Sequence, residues 1–250
     1  SIGVIGAIDG PTAIFVTTKI APDLLGPVAV AAYSYMSLVP IIQPPIMKLM
    51  TTRKERLIRM EYAPIPVSRL AVVLFPIIVT VVVSLIAPDA APLIASLMLG
   101  NLIKEVGVVD RLSKSVQNEI INVSTLFLGL AIGATMTASS FLFDPTTGIQ
   151  WKTLMILGLG LLAFVIDTVA GLLFGKLMCV LSGFKINPLI GACGISAFPM
   201  SGRIAAKVAQ DEDFSNFILM HAMGSNTAGQ LGSVIAGGLL LALVRGLGFG

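Results

Sequence analysis

The sequence predicts an all-α, multi-pass membrane protein of transporter type, with broken helices and re-entrant hairpins arranged as an inverted repeat. Three observations predict it. Hydrophobic residues make up 56% of the 250 and charged residues only 12%, about half the ~25% charge of a soluble domain, and mean hydropathy is +0.96. Apolar windows recur at the length of roughly 20 residues that crosses a bilayer. A carboxylate, Asp9, stands in the middle of the window 2–20, followed by Gly10 and Pro11. An ionised Asp near a bilayer centre costs roughly 2.5–3.5 kcal/mol on insertion scales, so it faces a cavity, an ion or a proton path. A helix break beside such a carboxylate is a recurring sign of a cation site in transport proteins.

In chain order the apolar windows are 2–20 (broken at Asp9), 28–47, 70–87, the short 92–103, 120–136, 151–174 and a paired region 187–244 with several interruptions. The loop 48–69 holds Lys48, Arg53, Lys54, Arg56, Arg59 and Arg69 against Glu55 and Glu61, and the positive-inside rule places it in the cytoplasm. Alternation then predicts 88–91 and 137–150 outside, and 104–119 and 175–186 inside. The charges agree: Asp89 and Asp144 fall outside without Lys or Arg, whereas Lys104, Arg111, Lys114, Lys176 and Lys185 fall inside. The broken segment at Asp9 would run outward and the final segment, ending at Arg245, inward. That opposition is the basis for the inverted repeat; it rests on hydropathy, with no residue-by-residue repeat between the halves. Because the chain enters a membrane segment directly from Ser1, residues 1–250 are expected to be a single polytopic domain from the C-terminal part of a longer chain.

Several function classes fall away. The net charge of +3 is concentrated in one loop, and one Trp and three Tyr interleave with no basic stripe, so a nucleic-acid partner is not expected. Cys179 and Cys193 lie in apolar surroundings without metal-ligand spacing. The sequence has no Ser/His/Asp elbow, Gly-rich phosphate loop or zinc spacing.

Three places read as helix starts inside the membrane: Asp9-Gly10-Pro11, Asn187-Pro188, and Gly224-Ser225-Asn226-Thr227. Free N–H groups at such starts suit an anion, while unwound carbonyls with Asp and Asn oxygens suit a hard cation. Irregular backbone survives at membrane depth only where protein or a watery cavity covers it. The plainer reading is that Gly and Pro serve packing and kinks, and Asn serves as interhelical glue. The stretch 187–203 is predicted to form a re-entrant hairpin, with Gly191 and Gly194 allowing close approach and Pro199 a second break. Ser196 lies in its body; Arg203 at its end either clamps a carboxylate or snorkels to the interface. Tyr35 is a packed aromatic or a functional hydroxyl, and Gln43-Pro44-Pro45 reads as a further polar break. Asp167 is a second intramembrane carboxylate, for a proton path or a buried pair. His221, near Asn226, either carries protons or is structural.

Five strings carry a resemblance: GAIDGPTAIF at 6–15, AAYSYM at 31–36, PIIQPPIM at 40–47, NPLIG at 187–191 and SAFPMSGR at 196–203. Together they closely resemble the beta subunit of the sodium-pumping, biotin-dependent decarboxylases of oxaloacetate, methylmalonyl-CoA, glutaconyl-CoA and malonate, and the likeness runs through essentially the whole chain. The resemblance implies a subunit in a bacterial or archaeal cell membrane that decarboxylates carboxybiotin, exports Na+ and takes up an external proton. Its implied partners are a biotin-carrying carboxyltransferase subunit, a small membrane-anchor subunit and further copies of itself. By the same resemblance Asp9 and Asn187 hold a sodium ion, with Asn226 among the residues assigned to it, and Gly191 is assigned with Arg203 to binding carboxybiotin. Tyr35 and Ser196 are associated with a second ion and with delivering the proton, and Arg203 receives carboxybiotin. That contact needs access from the cytoplasm, so the 187–203 hairpin is expected to re-enter without crossing. Two other classes stay open: a sodium-coupled carrier of a small organic anion without catalysis, and a passive membrane scaffold.

Overall fold

Small residues decide where the helices of this chain approach one another. The computed structural model describes residues 2–61, 66–137 and 150–247, and among them the chain is helical without strands. The helices are α1 (Ile2–Gly6), α2 (Gly10–Ile20), α3 (Leu25–Met50), α4 (Arg53–Arg56), α5 (Arg69–Ile86), α6 (Ala91–Val106), α7 (Asp110–Ser115), α8 (Ile121–Thr135), α9 (Trp151–Leu181), α10 (Met200–Glu212) and α11 (Leu219–Gly246). Helical stretches long and apolar enough to cross a membrane are Pro22–Met50, Arg69–Ile86, Asp110–Thr135, Trp151–Leu181 and Leu219–Gly246, so this is an all-α multi-pass membrane protein. The short window at 92–103 becomes α6, whose 16 residues rise about 24 Å against a hydrocarbon core of about 30 Å. The expected outside loop with Asp144 lies, from 138 to 149, outside the described residues.

Contacts divide the chain into two compact units: Ser1–Phe15 with Pro27–Ala63 and Trp151–Ser233, and Val16–Gly26 with Pro64–Gln150 and Val234–Gly250. The first is built on α9. Ile156, Gly160, Phe164, Thr168, Leu172, Gly175 and Cys179 are buried along it at the spacing of one helical face. α1 lies on this stripe at Gly6, where a Cβ would come within 2.7 Å of the Ala163 Cβ and 2.8 Å of Asp167 Oδ2. Further along, a 3₁₀ segment, Pro188–Gly194, crosses at Gly171 and Gly175. A Cβ on Gly171 would sit 2.5 Å from the Gly191 carbonyl oxygen, so backbone meets backbone there. Leu172, Leu189, Ala192 and Cys193 then join Met47, Ala205, Ala209, Ile218 and Ala222 in one apolar core.

Two expected breaks are absent. α3 runs unbroken past Gln43-Pro44-Pro45, because Gln43 is fully buried and tied sideways: its Nε2 donates to the Ala192 carbonyl at 3.2 Å and its Oε1 accepts from Ser201 Oγ at 2.9 Å. Neighbouring protein helps a membrane helix tolerate proline. α11 likewise runs through Gly224–Thr227 without a start. Ser225 Oγ donates to the Ile190 carbonyl at 3.0 Å and Thr227 Oγ1 to the Met223 carbonyl at 3.0 Å, so these hydroxyls serve packing and not a cap.

The basic loop is not a bare positive face. Arg56 meets Glu212 at 2.7 Å and Arg53 the same carboxylate at 3.2 Å, Arg59 meets Asp213 at 2.6 Å, Lys48 meets Asp211 at 3.6 Å and Lys176 meets Glu55 at 3.4 Å. The acids at the end of α10 therefore neutralise the loop. Ser215, through its hydroxyl and its N–H, and the Arg59 guanidinium hold the Asp213 carboxyl down at about 2. Since its folded value lies below the ordinary carboxylate range, its stabilisation is present above about pH 4 and is lost as pH falls through 2. Exposed Phe214 and Phe217 flank this turn. Pepsin cleavage beside them should stay slow at pH 4 and rise towards pH 2 in the wild type, whereas Arg59→Ala should already be cut at pH 4.

In the second unit the tetrapeptide Ile-Ala-Pro-Asp occurs twice, at 20–23 and 86–89. Each copy makes the same 3₁₀ turn, Pro22–Leu24 before α3 and Pro88–Ala90 before α6, a local repeat too short for hydropathy to reveal. The second copy is clamped: Arg245 donates to Asp89 at 2.5 Å, and Gly238 packs against Ala90.

Candidate cation and carboxylate site

The break at 7–9 is a built feature. Ile8 takes φ +56, a left-handed conformation that a β-branched residue adopts only under strain. Such strain costs roughly 1–3 kcal/mol and collects at functional sites. Asp9 is 6% exposed; its Oδ1 accepts from the Thr12 N–H at 3.0 Å, which caps α2, with Pro11 in the first turn. Its Oδ2 accepts from Ser233 Oγ of α11. The Ala7 carbonyl accepts from the Ser196 N–H at 2.8 Å, so the first break is pinned to the second, at 195–199.

α11 closes this arrangement along one face. Asn226 Nδ2 donates to the Cys193 carbonyl at 3.2 Å and to the Ile195 carbonyl at 2.7 Å. Gly229, nearly a turn on, lets the helix press against Gly194 and Ile195, and Ser233 reaches Asp9. Two buried oxygens here, Asn226 Oδ1 and Thr12 Oγ1, have no hydrogen-bond partner. Buried oxygens are seldom left unpaired, and these two lie on the residues that line the breaks. Among the described residues no three His, Cys, Asp or Glu side chains gather as for a metal ion. One carboxylate with amide, hydroxyl and carbonyl oxygens is a donor set for a hard cation.

Of the residues singled out in the sequence, the structure therefore brings together Asp9, Ser196 and Asn226. Asn187 belongs to another network: its Nδ2 donates to the Arg56 and Ile58 carbonyls at 3.0 and 2.9 Å, and its Oδ1 accepts from the Leu189 N–H at 3.0 Å. Asn216 Nδ2 donates to the same two carbonyls at 3.0 and 3.3 Å. Asn187 shares no hydrogen bond with Asp9. Tyr35 is 4% exposed; its hydroxyl donates to the Leu157 carbonyl and its ring lies on Gly160. The aromatic ring against Gly10, beside Asp9, is that of Tyr33. Gly191 is a packing residue between Gly171 and Gly175. Arg203 is exposed on α10. Asp167 lies against Gly6.

Sequence reasoning missed Ser233, Thr12, Tyr33 and Asn216. Ser233 had a signal, since it stands seven residues after Asn226 and so shares its helix face. Asn216 had none, because its partners are main-chain carbonyls of a distant loop.

Comparison with known proteins extends over the same residues. Residues 1–244 match the family model of the Na+-transporting oxaloacetate decarboxylase beta subunit. The chain is 54% identical over 244 residues to the oxaloacetate decarboxylase beta chain of Klebsiella pneumoniae, covering 98% of this chain and 54% of that one. It is 54% identical over 243 residues to the methylmalonyl-CoA decarboxylase subunit beta of Propionigenium modestum, covering 97% and 60%. With the glutaconyl-CoA decarboxylase subunit beta of Acidaminococcus fermentans it shares 50% over 246 residues, covering 98% and 64%. The chain thus spans a little over half the length of these relatives. A match through 244 of 250 residues settles the kinship: the chain belongs to the Na+-transporting oxaloacetate decarboxylase beta subunit family.

Proposed function

We propose that this chain is the part of a membrane subunit that decarboxylates carboxybiotin presented by a biotin-carrying partner and uses the reaction to export Na+, with a proton taken from the outer side. The observation that carries the reading is the strained break at Ile8 and Asp9, joined to α11 through Ser233 with the unpartnered Asn226 oxygen on the same helix face. In this reading Na+ is cargo, held by Asp9 and Asn226 with carbonyls of the two breaks. Asn187, assigned to the ion by resemblance, acts through the 56–58 loop, whose carbonyls it holds at the start of the 3₁₀ segment. The partner subunits, including a small membrane anchor, and a bacterial or archaeal membrane belong to the same proposal.

Carboxybiotin supplies a labile bond between a ureido nitrogen and a carboxylate; when it breaks, the electron pair stays on nitrogen, the nitrogen takes a proton and CO2 leaves. The chain's residues bind and orient. Exposed Arg203 fits the carboxylate as a two-pronged donor. An apolar surrounding favours loss of the charged carboxylate as CO2. Tyr35 and Ser196 are the hydroxyls that the resemblance assigns to passing a proton. Gly191 lets the 3₁₀ segment approach α9 closely enough for this geometry.

The test is reconstitution of the complete complex in sealed vesicles, with CO2 release and Na+ uptake followed together. Both should appear only when a biotin-carrying partner is present, and CO2 release should require Na+. Uptake of a small organic anion without any biotin protein, or CO2 release indifferent to Na+, would overturn the proposal.

A further inference from the structure

α10 carries its charges against its own dipole. Arg203 lies in the N-terminal half, Lys207 follows one turn later, and Asp211, Glu212 and Asp213 end the helix. Cations are favoured at helix C-termini and anions at N-termini, so this order stabilises the helix less than the reverse would. The acids are compensated: Asp211 meets Lys48 at 3.6 Å, Glu212 meets Arg53 and Arg56, and Asp213 meets Arg59. Asp211, the acid one turn beyond Lys207, is drawn to Lys48. Neither the Arg203 nor the Lys207 side chain has a hydrogen bond or ion pair among the described residues, and both residues are exposed.

The opposite face of α10 is fixed. Ser201 Oγ donates to Gln43 Oε1 at 2.9 Å and to the Ala192 carbonyl at 3.0 Å. A Cβ on Gly202 would meet Met223 Sδ at 2.9 Å, and Ala205, Ala206 and Ala209 are buried. The helix therefore cannot turn its cations away. Residues four apart on a helix have Cβ atoms about 5–6 Å from each other, so the two side chains leave the helix as neighbours on one face.

We propose that Lys207 is a second positioning residue beside Arg203, and that the pair receives the carboxylate end of a carboxylated biotin group. This rests on the function proposed above. Arg203 supplies directional donors to the carboxylate; Lys207 supplies a compact point charge beside it, which favours the carboxylated over the uncarboxylated form.

The test uses the complete complex and measures equilibrium binding of the biotin-carrying subunit in its carboxylated and uncarboxylated forms. Lys207→Ala should weaken binding of the carboxylated form by about threefold, the scale of one exposed ionic contact, and leave the uncarboxylated form unchanged. Half-saturation in decarboxylation should rise by the same factor with the maximal rate kept, and Lys207→Arg should retain wild-type values. The variant's thermal midpoint should match the wild type, since the Lys207 side chain has no hydrogen bond or ion pair among the described residues. Equal weakening of both forms, as general attraction to a partner or an anionic lipid surface would give, overturns the proposal; so does unchanged binding or a lowered midpoint. A wild-type complex that does not release CO2 from the carboxylated carrier overturns instead the reading of function on which the proposal rests.

Discussion

Asp9→Asn should raise the Na+ concentration for half-maximal decarboxylation by at least about tenfold and reduce Na+ uptake in step. The substitution keeps the shape of the side chain. Its Oδ1 can still accept from the Thr12 N–H, because Asn caps helices as well as Asp does, and its amide can still bond Ser233. What it removes is the negative charge, one of the few full charges among the buried oxygens of the two breaks. A monovalent cation in a water-poor site depends on that charge more than on any neutral ligand, because Coulomb attraction is strongest where the dielectric is low. Removal of supporting groups around metal sites costs 10–100-fold in affinity, so tenfold is a floor for a direct ligand. The measurement is a Na+ titration of CO2 release in the reconstituted complex, with the thermal midpoint alongside. An unchanged Na+ requirement would exclude Asp9 as the ligand. Since the Asn keeps the cap of α2, a lost midpoint would assign the charge to holding Ser233 and the fold.

Much of this architecture was legible in the sequence, for one physical reason. Bilayer solvent imposes length and apolarity on each span, and a carboxylate followed by Gly-Pro favours a break in the helix. The break at Asp9, the helical start at Asn187-Pro188, the break at Pro199 and the start of a span at Trp151 were read correctly. The errors share a cause as well. Gln43-Pro44-Pro45 and Gly224-Ser225-Asn226-Thr227 contain the residues of a break, yet both stay helical. Their polar atoms find partners on other segments: Gln43 on Ala192 and Ser201, Ser225 on Ile190, Asn226 on Cys193 and Ile195. Local sequence reports the propensity to break, and tertiary hydrogen bonds decide whether the break occurs. The pairing of Asp9 with Ser233 was beyond reach for the same reason, since 224 residues separate them.

Gly191→Ala should be among the most damaging single-methyl changes at the described residues. A Cβ at 191 would lie 2.9 Å from the Gly175 Cα and amide nitrogen and closer still to the Gly171 carbonyl oxygen, all main-chain atoms that no rotamer change can move aside. α9 and the 3₁₀ segment would have to separate. The separation would pull on the bonds that hold that segment, among them Gln43 and Ser201 to Ala192, Ser225 to Ile190 and Asn226 to Cys193. Overpacking of a tight interior costs typically 1–3 kcal/mol and sometimes more, and a collision with backbone belongs at the upper end. Gly158→Ala on the same α9 is the control, because its Cβ would meet nothing within 4 Å; there Ala should be neutral or stabilising by a few tenths to about 1 kcal/mol. Thermal midpoint and Na+-dependent CO2 release should fall together in Gly191→Ala and stay intact in Gly158→Ala. A midpoint that holds while only the binding of carboxylated biotin is lost would return Gly191 to the role of a cofactor-contacting residue. With the backbone of Gly171 and Gly175 already pressed against it, the geometry supports the packing role: Gly191 positions Ser196 and the Asn226 partners by letting two backbones touch.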